Sequence, residues 1–420
     1  MKIVDAIVIG GGPAGSCAAT WLARRGRSVV LLEREHFPRF HIGESLLPYN
    51  SEIFDELGLT PTLEAEGFPL KTGAQFHVGN QSKQTAFVFR EGRFTRHHRA
   101  FQVERARFDD ILLRHAASCG VDVREGIEVG RVLVDADGVS VSTVASELIR
   151  GRFVIDASGR SNLTGTQEGL KVLNPRLRKL AVFAHFEGVV LDPGSKGGDT
   201  VIVREERHWF WLIPLRIEGG DRGKVSVGVV MDRDDFTGIG GSPTEVLERL
   251  IAGCPAVKAR LASATAVSEV RVTSDFSYRN SRLTSPRCIR VGDAAGFIDP
   301  IFSSGVFIAM HSARAAAAAV EEGLSGGHDA TVARGRYEER MASAMRVYQE
   351  MVEGFYTKPF MELFLEPRAK LGIAAAVNAV LAGELDGGWR LRWRMTVFFW
   401  LVRLQARFPL VPRFSFDAVL

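Results

Sequence analysis

The chain has few cysteines and no long apolar run. Four cysteines, Cys17, Cys119, Cys254 and Cys288, are scattered over 420 residues without a C-x-x-C pair. This spacing argues against a disulfide framework or a metal site and is typical of a protein in a reducing cytoplasm. No apolar run reaches the roughly 20 residues that a membrane span needs, and the first strand pattern begins too close to Met1 for a signal peptide. We therefore expect a cytoplasmic protein without a transmembrane span.

Lysine is also scarce, and neither sign of charge dominates. Ten of the 53 basic residues are lysine, which leaves 43 arginines, and 49 acidic residues reduce the net charge to +4. No basic cluster alternates with exposed aromatic residues, so a nucleic-acid partner is not expected. A hydrophobic fraction of 46% over this length is enough for one extended core or two joined ones. The composition indicates a large globular enzyme without repeats.

An apolar run near the start of the chain ends in a glycine cluster and opens into a helical pattern. Val4 to Ile9 predicts a buried strand, and the turn after it reads Gly10-Gly11-Gly12-Pro13-Ala14-Gly15. Gly10 turns the chain, Gly12 lets backbone amides approach a pyrophosphate, and Gly15 lets the helix pack on the sheet. A second strand, Val29 to Leu32, is followed by Glu33 and Arg34, and Glu33 is placed to bind ribose hydroxyls. The segment predicts a dinucleotide site, with Pro13, Ala14 and Arg34 among its residues.

Three later segments carry a resemblance to flavoproteins of the p-hydroxybenzoate hydroxylase and geranylgeranyl reductase group. Asp156-Ala157-Ser158-Gly159-Arg160 and Val291-Gly292-Asp293-Ala294-Ala295 each follow a predicted strand, and Val103 to Asp109 fits the pattern V-x-R-x-x-F-D. The resemblance implies that FAD is the dinucleotide, with Asp156 and Arg105 near it and Asp293 on its ribityl chain. Taken without the resemblance, Asp156 could be a turn residue and Arg105 a solvated charge.

Strand and helix patterns divide the chain into three parts of an α/β fold. They alternate over residues 1–70, 100–175 and 270–325, which predicts a Rossmann-type FAD-binding domain. Residues 71–99 and 176–269, interleaved with it, are richer in strand patterns and predict a mainly antiparallel β-domain on the substrate side. Residues 326–420 predict a helical C-terminal part.

Two aromatic and glycine-containing motifs resemble those of the flavin-dependent halogenases. Trp209, Trp211, Ile213 and Pro214 fit W-x-W-x-I-P, and Phe297, Pro300, Ser303 and Gly305 fit F-x-x-P-x-x-S-x-G. Alternation places both indoles on one face of a strand, where core packing is the ordinary interpretation. The resemblance implies instead that Trp209 and Trp211 separate flavin from substrate. It also implies that Pro300 and Gly305 lie at the flavin, and that a chloride or bromide ion lies at the amides of Ser304 and Gly305.

The resemblance further implies a lysine that receives hypohalous acid made from FADH2, O2 and halide. Lys71, in Gly67-Phe68-Pro69-Leu70-Lys71-Thr72-Gly73-Ala74, fits the phenol and pyrrole branch of the family, as does Gly43-Glu44-Ser45-Leu46-Leu47-Pro48. Glu44 and Ser45 then belong to the cofactor site. The alternative is that Lys71 is an ordinary surface lysine. Burial would lower the pKa of Lys71 and free a lone pair that arginine does not offer.

One departure from the tryptophan halogenases bears on the substrate. Those enzymes have a glutamate two residues before the position of Ser304, where this chain has Phe302. Without that carboxylate the attacked ring must be activated already, as in a phenol or a pyrrole, free or bound to a carrier protein. Other bases could be His77, His97 or His98, although we interpret the adjacent pair beside Arg96 and Arg99 as a polar turn.

The expected enzyme is thus an FADH2- and O2-dependent halogenase supplied by a separate flavin reductase. The alternatives are an FAD-dependent hydroxylase, a geranylgeranyl-reductase-like oxidoreductase, or a flavin-binding protein without turnover. Residues 389–403 mix tryptophan with arginine on a predicted helix. We interpret this helix as a cap over the substrate site, and a surface for an acidic carrier protein or an anionic membrane stays as the alternative.

Overall fold

A mainly parallel sheet and a mainly antiparallel sheet organise the chain. The computed structural model describes residues 3–135, 137–274, 277–326, 330–368, 370–385 and 387–416. The strands are Ile3–Ile9 (β1), Val29–Leu32 (β2), Leu70–Lys71 (β3), Gly73–Val78 (β4), Gln84–Val88 (β5), Ala100–Phe101 (β6), Asp122–Arg124 (β7), Val129–Val134 (β8), Val139–Thr143 (β9), Leu148–Asp156 (β10), Lys171–Leu173 (β11), Lys179–Val190 (β12), Thr200–Arg204 (β13), His208–Glu218 (β14), Arg222–Asp232 (β15), Thr265–Ala266 (β16), Arg271–Ser274 (β17), Tyr278–Asn280 (β18), Thr284–Ser285 (β19), Cys288–Arg290 (β20) and Gly296–Phe297 (β21).

Helices flank both sheets and make up the C-terminal part. They are Pro13–Arg24 (α1), Asn50–Leu57 (α2), Thr60–Ala65 (α3), Arg105–Ser118 (α4), Leu163–Gln167 (α5), Arg233–Ile239 (α6), Pro243–Gly253 (α7), Pro255–Arg260 (α8), Ser304–Ser325 (α9), Ala330–Phe355 (α10), Lys358–Phe364 (α11), Ile373–Ala382 (α12) and Gly388–Arg407 (α13). The predicted α/β class with a helical C-terminal part is confirmed. Residues 327–329, 369, 386 and 417–420 of that part lie outside the described residues. None of the described helices is both long enough and apolar enough to cross a membrane.

The parallel sheet positions the N-terminal glycine turn. Its strand order is β19-β20-β10-β1-β2-β7, and β1 pairs in parallel with both β2 and β10. The register aligns Ile9 with Leu32 on one side and with Asp156 on the other. Because these strands end together, the loops that follow them meet at one edge of the sheet, where α/β folds bind ligands.

The antiparallel sheet carries the two tryptophans. Its order is β16-β12-β15-β14-β13-β4-β5, with only the β13–β4 pair parallel. Along β14, Trp209, Trp211 and Ile213 join the same apolar cluster as β1 and α9, whereas Phe210 and Leu212 pack into a separate cluster on the other face. Both indoles therefore lie on one face of the strand, as their alternation predicts.

The domain boundaries themselves stay a prediction, and one strand crosses them. β17 falls in the segment assigned to the FAD-binding domain, but it pairs with β12 of the antiparallel sheet. β17 is only four residues long and does not alternate regularly between apolar and polar side chains. Its sequence pattern therefore cannot assign it to one sheet or the other.

Candidate active site

A cavity of about 680 Å³ opens where the strand ends of the parallel sheet face the antiparallel sheet. It brings together most of the residues that the sequence singled out. Those lining it are Gly10, Gly12, Pro13, Ala14, Glu33, Arg34, Glu44, Ser45, Arg105, Trp209, Trp211, Asp293, Pro300 and Gly305. Gly15, Lys71, Asp156 and Ser304 are not among the lining residues.

The glycine turn between β1 and α1 leaves room for a ligand only where the sequence predicts it. Gly10 has φ of +100°, and a Cβ there would lie 2.3 Å from the Ala157 carbonyl oxygen. A Cβ on Gly15 would lie 1.8 Å from the Gly10 carbonyl oxygen, so α1 packs directly on the turn. At Gly12 the nearest atom would be Nη2 of Arg39 at 3.6 Å, and this position faces the cavity. The amides at the start of α1 are therefore accessible to an anion.

Two carboxylates that the sequence singled out, those of Glu33 and Asp156, accept hydrogen bonds from backbone amides of the turns around the cavity. Glu33 accepts a hydrogen bond from the Gly11 amide at 2.6 Å and one from the Glu35 amide at 2.9 Å. Asp156 accepts from the amides of Ser158 and Thr164 at 3.0 and 2.8 Å, below the cavity floor. Glu33 thus lines the cavity and also stabilises the glycine turn. Asp156 stabilises the loop after β10, and the residues that follow Asp156 line the cavity.

Opposite charges at the cavity wall compensate one another. Arg105 makes a two-point ion pair with the buried Asp109 at 2.8 and 2.9 Å, and Arg39 donates to the same carboxylate at 2.7 Å. Burial raises the pKa of Asp293 to about 6, against the opposing effect of the Arg105 and Arg160 cations. Arg39, which sequence reasoning missed, lines the cavity as well.

These features fit FAD. Glycines clear the approach to helix amides, cavity-lining cations can meet a pyrophosphate, and Glu33 and Asp293 offer acceptors for sugar or ribityl hydroxyls. The wide cleft between the two sheets continues from this end to the two tryptophans.

The first turn of α9 borders the cavity. Ser303, just before the helix, has φ of +56° and makes no side-chain cap, and a Cβ on Gly305 would approach only Phe297, at 3.3 Å. The helix runs for 22 residues, so its first amides have no intrahelical partner and carry the positive end of its dipole. An anion held there would lie beside Pro300 and Gly305, both in the cavity wall.

The two indoles form the wall of the cavity on the side of the antiparallel sheet. Trp209 and Trp211 are 1% and 6% exposed, and their ring centroids are 6.1 Å apart. Trp211 Nε1 donates to Ser226 Oγ at 3.1 Å. Trp209 Nε1 donates to the hydroxyl of Tyr356 at 2.9 Å, and this hydroxyl donates to Asp299 Oδ2, also at 2.9 Å.

Sequence reasoning missed the roles of Tyr356 and Asp299. Asp299 precedes the motif proline, and burial raises its pKa to about 6. Tyr356 comes from the end of α10, 147 residues after Trp209. A contact at that separation leaves no local pattern, although an acid beside the motif was a signal that could have drawn attention to Asp299.

Lys71 lies behind the cavity wall, in a buried position. It is 2% exposed, and its Nζ donates to Ser45 Oγ at 2.9 Å and to the Leu46 carbonyl at 3.2 Å. Ser45 itself lines the cavity and contacts Thr200 Oγ1 at 2.9 Å. Burial lowers the pKa of Lys71 to about 7, although the Asp199 carboxylate opposes that shift. The amine is therefore one hydrogen bond from the cavity and exchanges its proton near neutral pH.

Another buried pair at the cavity was not predicted. His185 Nε2 lies 2.7 Å from Oε1 of Glu44, and Oε2 of Glu44 has no hydrogen-bond partner among the described residues. Glu44 lines the cavity, and His185 fixes one of its oxygens. His185 lies on β12, far in sequence from every motif, so no local signal indicated it.

Similarity to known proteins extends over nearly the whole chain. The family model described as tryptophan halogenase matches residues 5–99 and 90–360. A tryptophan 2-halogenase of Chondromyces crocatus is 35% identical over 362 residues, which are 84% of this chain and 65% of that relative. The chain thus spans just under two thirds of that relative's length.

Two further relatives align with this chain over nearly the full length of both sequences. A 1H-pyrrole-2-carbonyl peptidyl-carrier-protein chlorinase of Pseudomonas fluorescens is 29% identical over 92% of this chain and 90% of its own. The solved structure of a flavin-dependent brominase superimposes with a TM-score of 0.86 at 27% identity, over 97% of this chain and 100% of that one. The similarity therefore includes the helical C-terminal part as well as the cavity.

Proposed function

This chain belongs to the tryptophan halogenase family and is an FAD-dependent enzyme, and from that premise we propose that it halogenates an electron-rich phenol or pyrrole ring through Lys71. The observation that carries the proposal is the amine of Lys71, buried with a pKa near 7 and hydrogen-bonded to Ser45, which lines the cofactor cavity. An ordinary surface lysine would be exposed and protonated at that pH.

Each part of the cavity has a task in this reaction. FADH2 and dioxygen supply the two-electron oxidation of chloride or bromide to hypohalous acid, and a separate flavin reductase supplies FADH2. The first turn of α9 at Ser304 and Gly305 holds the halide, because unpaired amides and the helix dipole favour an anion there. Ser45 then offers a hydroxyl at the cavity surface, to which hypohalous acid can hydrogen-bond on its way to Lys71.

Lys71 turns a mobile oxidant into a positioned one. Neutral Nζ attacks hypohalous acid, so that an N–X bond replaces an N–H bond and water leaves. A C–X bond then forms as the N–X bond breaks, and the proton lost from the ring carbon restores the N–H bond of Lys71. With a pKa near 7 a substantial fraction of the amine is neutral at physiological pH. Holding the halogen at one atom directs it to one ring carbon.

The aromatic wall and its surroundings favour an activated substrate. Trp209 and Trp211 keep the ring out of the cofactor cavity, so oxygen transfer to the ring is prevented. Phe302, 4% exposed, packs against Phe355 where the tryptophan halogenases have a carboxylate. The ring must therefore bring its own electron density, as phenols and pyrroles do.

The test is a substitution at Lys71 in the FAD-loaded enzyme. With FADH2, oxygen and bromide or chloride, the wild type is expected to give halogenated monochlorodimedone or phenol by mass spectrometry. Lys71→Ala is expected to lower ring halogenation at least about 100-fold while flavin reoxidation continues, because general acid–base and relay groups contribute about that much.

Lys258→Ala is the matched control, because Lys258 is exposed and remote from the cavity. Hydroxylated product without halogen would contradict the proposed reaction, and full halogenation by Lys71→Ala would contradict the relay.

A further inference from the structure

The C-terminal helix α13 presents a basic and aromatic face to solvent. Trp389 is 72% exposed and Trp400 55% exposed, and Phe408 just after the helix is 63% exposed. Arg392, Arg403 and Arg407 are exposed at matching helical spacings, and together with Trp389 and Trp400 they form what we call the α13 face.

Among the described residues, no carboxylate forms a salt bridge with the arginines of this face. Residues 387–416 contain six arginines and no aspartate or glutamate. Within the described part of the chain, neither Arg392 nor Arg403 forms a salt bridge, although many of the arginines elsewhere do. An unpaired positive surface with two exposed indoles has the composition of a protein interface, in which tryptophan and arginine are enriched.

The opposite side of α13 is already packed. Leu391, Met395 and Phe398 are buried, and Gln405 donates to Glu362 of α11 at 2.7 Å. A helix that binds in a membrane interface inserts its apolar side into lipid, and here the protein itself occupies that side. A second copy of the chain would bring a like-charged face to the same place in a two-fold dimer. Both arguments favour an acidic partner protein over lipid or self-association.

The position of α13 connects it with the substrate side of the tryptophan wall. Phe398 of α13 packs on Phe360 of α11 at 5.3 Å between ring centroids, and Phe360 stacks on Phe364 at 5.3 Å. Phe364 contacts Phe302 at 6.4 Å, which reaches the wall residue Trp209 through Phe355. No residue of α10–α13 lines the cofactor cavity. The C-terminal helices therefore pack against the wall from outside the cofactor cavity, which places the α13 face two helix layers from the indoles.

We propose that the α13 face docks an acidic carrier protein that presents the aromatic ring as a tethered acyl group. This inference rests on the proposed function, because it names how the substrate of that reaction is delivered. A carrier domain that binds this basic face must be acidic, and its flexible prosthetic arm would carry the tethered ring from the α13 face to the active site.

The first measurement is halogenation of a probe substrate, a pyrrole-2-carbonyl group on the phosphopantetheine arm of an acidic peptidyl carrier protein. Arg392→Glu/Arg403→Glu is expected to raise the KM for this probe about tenfold or more, with kcat retained. Halogenation of free monochlorodimedone by the same variant is expected to stay at the wild-type rate. Arg131→Glu/Arg176→Glu, which reverses two exposed arginines elsewhere, is the matched control and is expected to leave both rates unchanged.

A second measurement does not depend on halogenation. The Kd of the FAD-loaded wild type for the carrier protein, followed by fluorescence anisotropy, is expected to rise with salt and to rise about tenfold in the α13 variant. If the wild type halogenates neither probe but still shows this variant-sensitive binding, the proposed function fails and the docking surface stands.

Four outcomes would overturn the docking proposal. One is an equal effect of the two double variants on the carrier-bound probe, and another is a carrier Kd that both leave unchanged. The third is binding to phosphatidylglycerol vesicles that the α13 variant loses while its carrier kinetics stay normal, which would assign the face to lipid. The fourth is a wild-type dimer, seen by sedimentation, that the α13 variant converts to a monomer.

Discussion

Lys71 shows how one buried amine couples reactivity to stability. An unfolded chain keeps this lysine protonated up to its ordinary pKa of 10.5, whereas burial lowers the pKa to about 7 in the folded protein. Between these two values the unfolded state binds more protons, so stability rises with pH across that window. Below pH 7 the folded state carries the full cost of the buried charge, about 5 kcal/mol for a shift of this size, and most of that cost remains at pH 7.

Lys71→Met is therefore expected to stabilise the protein at pH 7 while it abolishes ring halogenation. Methionine fills a similar volume without a charge to desolvate, and the bonds to Ser45 and Leu46, the contact of the cation with the Phe89 ring and its attraction to Asp199 are the smaller terms that it loses. The free energy of unfolding from urea titrations at pH 6, 7, 8 and 9 is the measurement. The wild type should gain stability from pH 7 to 9, and the variant should show a flatter profile.

Lys258→Met controls for loss of a surface charge and should leave the slope of the wild type unchanged. A variant at position 71 that is less stable than the wild type at pH 7 would mean that the hydrogen bonds of Nζ outweigh its desolvation.

At the scale of elements, the pairing of β14 with β15 fixes the position of the tryptophan wall. The register sets Trp211 opposite Gly228. A Cβ on Gly228 would lie 2.1 Å from Cζ2 of Trp211, so only glycine allows the indole to lie flat against β15. The wall thus depends on a glycine in the neighbouring strand as well as on the indoles.

Gly228→Ala is expected to displace Trp211 and to open the wall. Overpacking of this kind costs about 1–3 kcal/mol, which thermal denaturation would measure. The ratio of halogenated ring to FADH2 consumed should fall, because oxidant escapes from the cavity before it reaches Lys71. Gly130→Ala in β8 is the matched control, since its nearest contact would be an ordinary 3.6 Å. Unchanged coupling in Gly228→Ala would argue that Trp211 does not confine the oxidant.

Sequence reasoning succeeded where an element carries its own signal. Apolar runs ended by glycine or an acid predicted the ends of β1, β2 and β10, and alternation placed Trp209 and Trp211 on one face. It could not place Lys71 behind Ser45, because their contact depends on the two-residue strand β3 and on a loop 26 residues earlier. The pairs of Glu44 with His185 and of Trp209 with Tyr356 join residues more than 140 positions apart. Such contacts follow from tertiary packing rather than from periodicity.

At the scale of the whole molecule, a buried hydrogen-bond chain joins the C-terminal helices to both sheets. Trp209 lies in the antiparallel sheet, Tyr356 follows α10, and Asp299 precedes the turn that leads into α9. Burial raises the pKa of the Tyr356 hydroxyl well above its ordinary value, so it stays a donor to Asp299. The helical part thus orients an indole of the wall from behind.

Tyr356→Phe is expected to loosen the wall by removing this connection. The buried Nε1 of Trp209 loses its acceptor, which costs about 1–3 kcal/mol in unfolding free energy. The yield of halogenated ring per FADH2 should fall as well. Tyr348→Phe is the matched control, because Tyr348 is a buried tyrosine of the preceding helix α10 that donates to the Val380 carbonyl at 3.1 Å, away from the wall. Tyr348→Phe should lose a similar free energy of unfolding and keep the wild-type yield of halogenated ring. An equal loss of yield in the two variants would mean that Tyr356 contributes only to packing.

The cofactor cavity also has a consequence for the lifetime of the protein. Its walls come from segments between Ile9 and Ala309, which belong to both sheets and to α9. A ligand that binds only when these segments are assembled stabilises the folded chain by about 2.7 kcal/mol at a hundredfold excess over its Kd. Proteases cleave unfolded chains, so the lifetime of this protein in a cell should increase with the local concentration of flavin. The cleft in which the oxidant is made would then tie the abundance of the enzyme to the concentration of its flavin cofactor.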